Sequence, residues 1–263
     1  MPEVPFGYEQ LHLECSGPET GAPVLLLHGW GSSAQLMQPI AAALADQYRL
    51  FNLDLPGHGH SPPPPEAWGV PEHAGLVRTF LDKEVGEPVT IIGHSNGGRI
   101  ALFLASDPET APLLKRLVLI SPSGIPARRT WKYYVRKNLA QVLKAPFQIL
   151  PAPLSDYGLD WLRHSLVWRA LGSSDYRALE GVMRETFVKT VNGYVHERLH
   201  RIGVPTLVFW GDQDTAISRR QMAILEDAIP DAGLVILEGA GHYGYLDDPD
   251  TFIAATRYFL EHS

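Results

Sequence analysis

The segment Val89-Thr-Ile-Ile-Gly-His-Ser-Asn-Gly-Gly-Arg99 places a serine between two glycines, behind an apolar run and ahead of a helix-compatible stretch. Gly-x-Ser-x-Gly in that context predicts a sharp strand-to-helix turn from which the Ser95 hydroxyl projects above a sheet edge. Gly93 and Gly97 remove side chains that would block the turn, and Gly98 lets the helix approach neighbouring strands. A hydroxyl held out in this way is a candidate nucleophile, but a weak one at neutral pH. It needs a base to take its proton, and the base needs a partner that fixes its tautomer. An imidazole and a carboxylate suit those tasks. His242 lies in Glu238-Gly-Ala-Gly-His-Tyr243, a glycine-rich loop between an apolar run and the last helix. Phe209-Trp-Gly-Asp-Gln-Asp-Thr215 offers two carboxylates, Asp212 and Asp214, just beyond another apolar run.

Such groups need a rigid frame. Short apolar, β-rich runs recur at 10–15, 24–27, 50–55, 89–92, 117–120, 206–210 and 234–237, each bounded by Gly, Pro or polar residues. Helix-compatible stretches at 36–44, 75–85, 97–106 and 219–229 alternate with them, which predicts an α/β fold with a mainly parallel sheet covered on both faces. In the last helix Asp248 can cap, Pro249 suits the first position, and Phe252, Ile253, Thr256, Phe259 and Leu260 share one face. The alternation breaks over 124–201, where aromatic-rich helical stretches replace the β-like runs and Pro146, Pro151 and Pro153 divide them. The expectation is a core of 1–123 and 202–263 with a helical cap inserted at 124–201. Trp131, Val135, Leu139 and Val142 recur at helical spacing, a stripe expected to face the core and line an acyl pocket.

Composition narrows the function. A formal charge of −7 argues against nonspecific nucleic-acid binding, which needs an excess of clustered cations. The single cysteine, Cys15, excludes an internal disulfide and a multi-cysteine metal site. His-Glu-x-x-His and Gly-x-x-x-x-Gly-Lys are absent, so metal-dependent hydrolysis and P-loop chemistry lack their sequence support. His58-Gly-His60 reads as a loop feature rather than a metal pair, and no cofactor is expected. With no basic n-region, no h-region and no apolar run long enough to span a bilayer, the expected location is cytoplasmic.

These motifs together resemble the α/β-hydrolase family, and the resemblance covers nearly the whole chain. Val24-Leu-Leu-Leu-His-Gly-Trp-Gly31 is similar to the family's strand-to-loop segment that supplies an oxyanion donor. The resemblance implies that the backbone N–H groups of Trp30 and Asn96 face a developing negative oxygen. It implies a structural role for His28. Phe51-Asn-Leu-Asp-Leu-Pro-Gly-His-Gly-His-Ser61 is similar to the next strand and turn, where Asp54 is assigned no chemistry. The family's chain order, nucleophile then acid then base, implies His242 as base, and its Gly-x-x-Asp pattern selects Asp214 over Asp212. Serine at the nucleophile position counts against the family's dehalogenases and epoxide hydrolases, which use a carboxylate there.

The implied reaction is hydrolysis of a carboxylic ester of a small or medium-sized substrate through an acyl-enzyme on Ser95. One alternative keeps the site and changes the bond: carbon–carbon or lactone hydrolysis, or a synthase-type lyase step. Ser-x-Gly-Gly-Arg also resembles the corresponding segment of the family's synthase of menaquinone biosynthesis, so Arg99 is a candidate for substrate binding; its plain role is a salt bridge in the helix. A further alternative is a ligand-binding, receptor-like protein that retains the same residues. His94 and Trp131 are further substrate-binding candidates. Lys115, Arg116, Arg128, Arg129, Lys132, Arg136, Lys137 and Lys144 occur with no acidic residue between Glu109 and Asp156. Singly they read as a solvated face. As a group they could steer an anionic substrate, an acyl-carrier partner or an acidic membrane surface toward the mouth.

Overall fold

In a sheet buried on both faces each strand must be apolar on both sides, and β2 (Ala22–Leu27) shows how this chain achieves it. Leu25 and Leu27 enter one core cluster while Val24 and Leu26 enter the other, as the two-residue period of a strand requires. The structure, a computed structural model, describes residues 6–127 and 179–263 and the isolated positions 138, 142, 145, 146, 151 and 154. Seven strands form one sheet in the order β1-β3-β2-β4-β5-β6-β7. Besides β2 these are β1 (Leu13–Ser16), β3 (Tyr48–Leu53), β4 (Val89–His94), β5 (Leu114–Ile120), β6 (Thr206–Gly211) and β7 (Ala232–Leu237). Only β1 runs antiparallel, pairing Leu13 with Leu53 and Glu14 with Asn52. The other pairs are parallel.

Helices α1 (Ala34–Leu44) and α7 (Pro249–His262) cover one face, burying Met37, Ile40, Leu44, Phe252 and Leu260. Helices α2 (Val70–Phe80), α3 (Asn96–Ala105) and α5 (Arg219–Ala228) cover the other with Leu76, Phe80, Ile100, Leu104, Met222 and Leu225. Asp248 caps α7 as expected, its Oδ1 accepting from the Thr251 N–H at 3.2 Å. The stretch at 75–85 starts earlier than its composition suggests. Pro71 in its first turn and a Glu72 carboxylate on the Gly69 N–H open α2, and a π-helical turn (Leu81–Val85) ends it. Residues 10–12 do not join β1 as expected, because Tyr8–Gln10 form a 3₁₀ turn before the strand.

Most of 124–201 lies outside the described residues, Trp131 among them. Two further α-helices are α4 (Gly181–Val191) and α6 (Gly244–Asp247). Helix α4 docks on the segment before α2: the Trp68 N–H donates to Thr186 Oγ1 at 3.1 Å and Lys189 Nζ to the Ala67 carbonyl at 2.7 Å. Of the stripe expected to face the core, Val142 is exposed, and Trp131, Val135 and Leu139 lie outside the described residues. Among the described residues no helix is long and apolar enough to cross a membrane.

Candidate active site

The chain runs outward from β2 to β3 and then returns across β2 to β4, so β2 and β4 flank the switch point where ligands bind in open α/β sheets. Trp30 follows β2 and Ser95 follows β4, both at carboxyl ends. Ser95 has φ +49°, in the left-handed region that a side chain rarely adopts. Four hydrogen bonds hold it there. Its N–H donates to the Ile120 carbonyl at 2.9 Å, and its own carbonyl accepts from Arg99 N, Ser123 N and Ser123 Oγ at 3.0–3.1 Å. The glycines beside it are sterically required: a Cβ on Gly97 would lie 2.1 Å from the Leu27 carbonyl oxygen, and one on Gly93 would lie 2.7 Å from the Gly98 nitrogen.

The loop after β6 presents the carboxylate. Asp214 Oδ2 accepts from His242 Nδ1 at 2.8 Å, while Oδ1 accepts from the backbone N–H groups of Ala216 and Ile217 at 2.7 and 2.9 Å. Burial would raise the Asp214 pKa, but the hydrogen bonds from His242 and Ile217 outweigh it and hold the carboxyl below its ordinary value. Asp212 takes a different part. Its Oδ1 accepts from Gly239 N at 2.8 Å and from Gln213 Nε2, tying the acid loop to the loop that carries His242. Trp210, to which the sequence pattern assigned no role, anchors the same loop by donating Nε1–H to the Ile217 carbonyl at 2.8 Å. Its position two residues before Asp212 was the available signal.

Ser95, His242, Trp30 and Asn96 line one cavity of about 300 Å³, together with Gly29, His94 and Arg99. Ser95 Oγ makes no hydrogen bond to the His242 ring. The His242 imidazole is thus oriented by its bond to Asp214. His94 is buried, donates Nε2–H to the His242 carbonyl at 3.0 Å, and has its Nδ1 unpartnered. Burial, reinforced by His242, pushes its pKa down to about 3, so its ring is neutral at physiological pH. It braces the His242 loop from behind, with ring contacts to His242, Tyr243 and Tyr245. His28 has the structural role expected of it: Nδ1 donates to the Gly29 carbonyl at 2.7 Å and Nε2 accepts from Leu55 N at 2.9 Å.

Arg99 departs from expectation. Among the described residues it forms no salt bridge; Nη1 donates to the Thr190 carbonyl, and Nε is buried without a partner. Burial lowers its pKa to about 10, which still leaves it charged at neutral pH. Its stem passes Gly124, whose φ of +105° and missing side chain make the room: a Cβ there would stand 3.0 Å from Arg99 Cγ. Phe187, Thr190 and Val191 bring α4 to the same cavity, and the Phe187 ring lies 5.1 Å from that of Trp30. Phe187 and Thr190 are three apart and share a helix face, and that spacing was the signal in the sequence that could have found them.

Lys115 and Arg116 require a correction. They stand at the amino end of β5, opposite the carboxyl ends that frame the cavity, so neither can draw a ligand to this mouth. The other six cations of that group lie outside the described residues. Cys15 is exposed on β1.

The chain is similar to known proteins over most of its length. An uncharacterized protein of Mycobacterium tuberculosis is 27% identical over 92% of this chain and 76% of its own length. A pimeloyl-acyl-carrier-protein methyl ester esterase of Aeromonas hydrophila is 29% identical over 91% of this chain and 96% of its own. Among solved structures, the enol-lactonase from Burkholderia xenovorans superposes with a TM-score of 0.72 at 22% identity, covering 96% of both chains, a likeness of fold. Residues 22–249 match the α/β hydrolase fold family, and with the switch-point site and the parallel sheet this shows that the chain belongs to that family.

Proposed function

We propose that the protein is a serine hydrolase that cleaves a carboxylic ester through an acyl-enzyme on Ser95. The observation that carries this is the 2.8 Å bond from His242 Nδ1 to Asp214, made beside the cavity that Ser95 lines. With Nδ1–H committed to the carboxylate, Nε2 is the free lone pair that can take a proton. Ser95 Oγ attacks the ester carbonyl and passes its proton to His242. The Trp30 and Asn96 N–H groups receive the oxyanion, and His242 returns the proton to the departing alkoxide. Water, deprotonated by the same imidazole, attacks the acyl-enzyme and frees the acid and Ser95. The named activity of the Aeromonas relative supports ester cleavage. In this reading segment 124–201 is a cap, and α4 is the part of it that closes over the cavity.

Arg99 sharpens the substrate class. A buried guanidinium with no carboxylate partner among the described residues, beside the candidate nucleophile, favours a substrate bearing an anionic group, whether a free carboxylate or a phosphate of a carrier. The same residue favours, as the second reading, a carbon–carbon, lactone or lyase reaction on an anionic substrate.

Multiple-turnover release of p-nitrophenol from esters graded by acyl length and charge tests the proposal. Turnover lost in Ser95→Ala supports it. Stoichiometric labelling of Ser95 without turnover would point instead to a ligand receptor.

A further inference from the structure

His60 is two residues from His58 in sequence, but the fold gives it other neighbours. His58 is buried with Nδ1 donating to the Pro56 carbonyl and its ring against those of Trp30 and His28. His60 turns outward, toward Asp54 and His12. One donor atom from each of His12, Asp54 and His60 lies within 4.8 Å of the others. The His12 and His60 rings are 4.8 Å apart, and His60 Nδ1 stands 3.7 Å from Asp54 Oδ2.

Hydrogen bonds to the backbone fasten the three segments. The Asp54 N–H donates to the His12 carbonyl at 3.0 Å, continuing the β1–β3 ladder. The His12 N–H donates to Ser61 Oγ at 2.9 Å, and Ser61 Oγ donates to the Asp54 carbonyl at 2.7 Å. The His60 N–H donates to Asp54 Oδ2 at 2.9 Å. Gly59 allows the turn: its φ is +53°, and a Cβ there would lie 2.1 Å from Asp54 Oδ2. The ligand backbones are therefore placed before any ligand arrives.

Charge balance points the same way. The Asp54 carboxylate is 1% exposed and accepts two backbone N–H groups, from Ala34 at 2.6 Å and from His60. Among the described residues no lysine or arginine pairs with it. Each oxygen retains a lone pair, and among the same residues the only cationic partner within reach is an imidazole that must be charged to serve. Glu14 Oε1 lies 3.5 Å from His12 Nε2, the placement by which a carboxylate fixes a metal-ligating imidazole and leaves its other nitrogen as donor.

We propose that His12, Asp54 and His60 bind a single borderline divalent cation of the zinc class, with water completing the shell. Two imidazoles and one carboxylate form a donor set for such ions rather than for Mg²⁺ or Ca²⁺, which take oxygen shells. Bonds of about 2.0–2.2 Å put tetrahedral donors roughly 3–4 Å apart, so closing the present spacing needs small rotations, chiefly of the His60 ring. That side chain is 82% exposed and free to turn. The bound ion would pin β1 to the turn that packs beneath Trp30. The site is separate from the cavity and does not depend on the esterase reading.

The test is calorimetric titration of the tag-free full chain with Zn²⁺ alone, paired with unfolding temperatures at each metal concentration. The expected result is one ion per chain and a raised unfolding temperature. His60→Ala and His12→Ala should each weaken binding by at least about tenfold and reduce the thermal shift at a given metal concentration, as loss of a metal-site group does. His262→Ala, an exposed histidine elsewhere, should change neither. No saturable binding, binding equal in wild type and both site variants, or equal binding of Mg²⁺ would overturn the proposal.

Discussion

The tripeptide Gly-His-Ser occurs twice, as Gly93-His94-Ser95 after β4 and as Gly59-His60-Ser61 in the turn after β3. The two serines meet opposite fates. Ser61 Oγ is buried and doubly bonded, donating to the Asp54 carbonyl and accepting from His12 N. Ser95 lines the cavity while its backbone is held in a left-handed conformation by bonds to every side. The histidines are exchanged as well: His94 is buried and neutral behind the base loop, whereas His60 is exposed beside a buried carboxylate. The tripeptide therefore carries no chemistry of its own. The two glycines flanking Ser95 and the close approach of α3 to β2 make the difference, because they present a hydroxyl that the fold has not already satisfied.

The widest separation should come from removing the two hydroxyls in turn. Ser95→Ala is expected to lower kcat by on the order of 10⁴ to 10⁶ on any ester that is turned over, leaving the fold intact. Steady-state rates and circular dichroism check it, and a loss below about tenfold would exclude Ser95 as the nucleophile.

The acid loop offers the next contrast. Asp214→Asn should lower kcat by about 10⁴, since the amide cannot hold the His242 tautomer. Asp212→Asn should act on the loop tie to Gly239 and cost far less activity. The reverse order in a rate comparison would reassign the acid.

Smaller effects separate brace from elbow in stability rather than rate. Ser61→Ala leaves the His12 N–H without its acceptor and should destabilise by about 1–3 kcal/mol in denaturant melts, with kcat little changed. Gly97→Ala forces a side chain against the Leu27 carbonyl; a loss of about 1–3 kcal/mol together with displaced, inactive Ser95 is expected. Stability at the wild-type level in that variant would refute the close-approach argument.

The smallest effect concerns pH. Burial lowers the pKa of His28 to about 4, of His73 to about 4 and of His94 to about 3. The unfolded chain takes up these protons near pH 6.5 and the folded chain does not, so their contribution is complete above about pH 6.5 and is lost as pH falls toward 4. His73 lies outside the site, donating Nδ1–H to the Gly69 carbonyl at 2.7 Å. His73→Asn keeps a donor there and removes the titration. Its melting temperature should fall less between pH 7 and pH 5 than that of wild type, and an unchanged slope would exclude His73 as a contributor.

Much of this was legible in the chain. The strand positions, the turn at Ser95, the capped last helix and Asp214, rather than Asp212, as the neighbour of His242 followed from local pattern and from family resemblance, because period, glycine placement and capping are properties of neighbouring residues. Arg99 was legible as a residue but not as a state: that it has no salt bridge among the described residues depends on which carboxylates the fold brings near. Lys115 and Arg116 were misplaced for a related reason, since sequence distance from a motif does not tell one end of a strand from the other.

What the sequence determined by itself was chemical kind and order: a serine on a turn, a carboxylate beyond one strand, an imidazole beyond the next. Partnership was decided only in three dimensions. Asp214 faces His242 across 28 positions because β6 and β7 are adjacent and parallel, so their carboxyl-end loops meet. His12 reaches Asp54 and His60 because β1 pairs antiparallel with β3, and a register shift of one residue would turn His12 to the opposite face of the sheet.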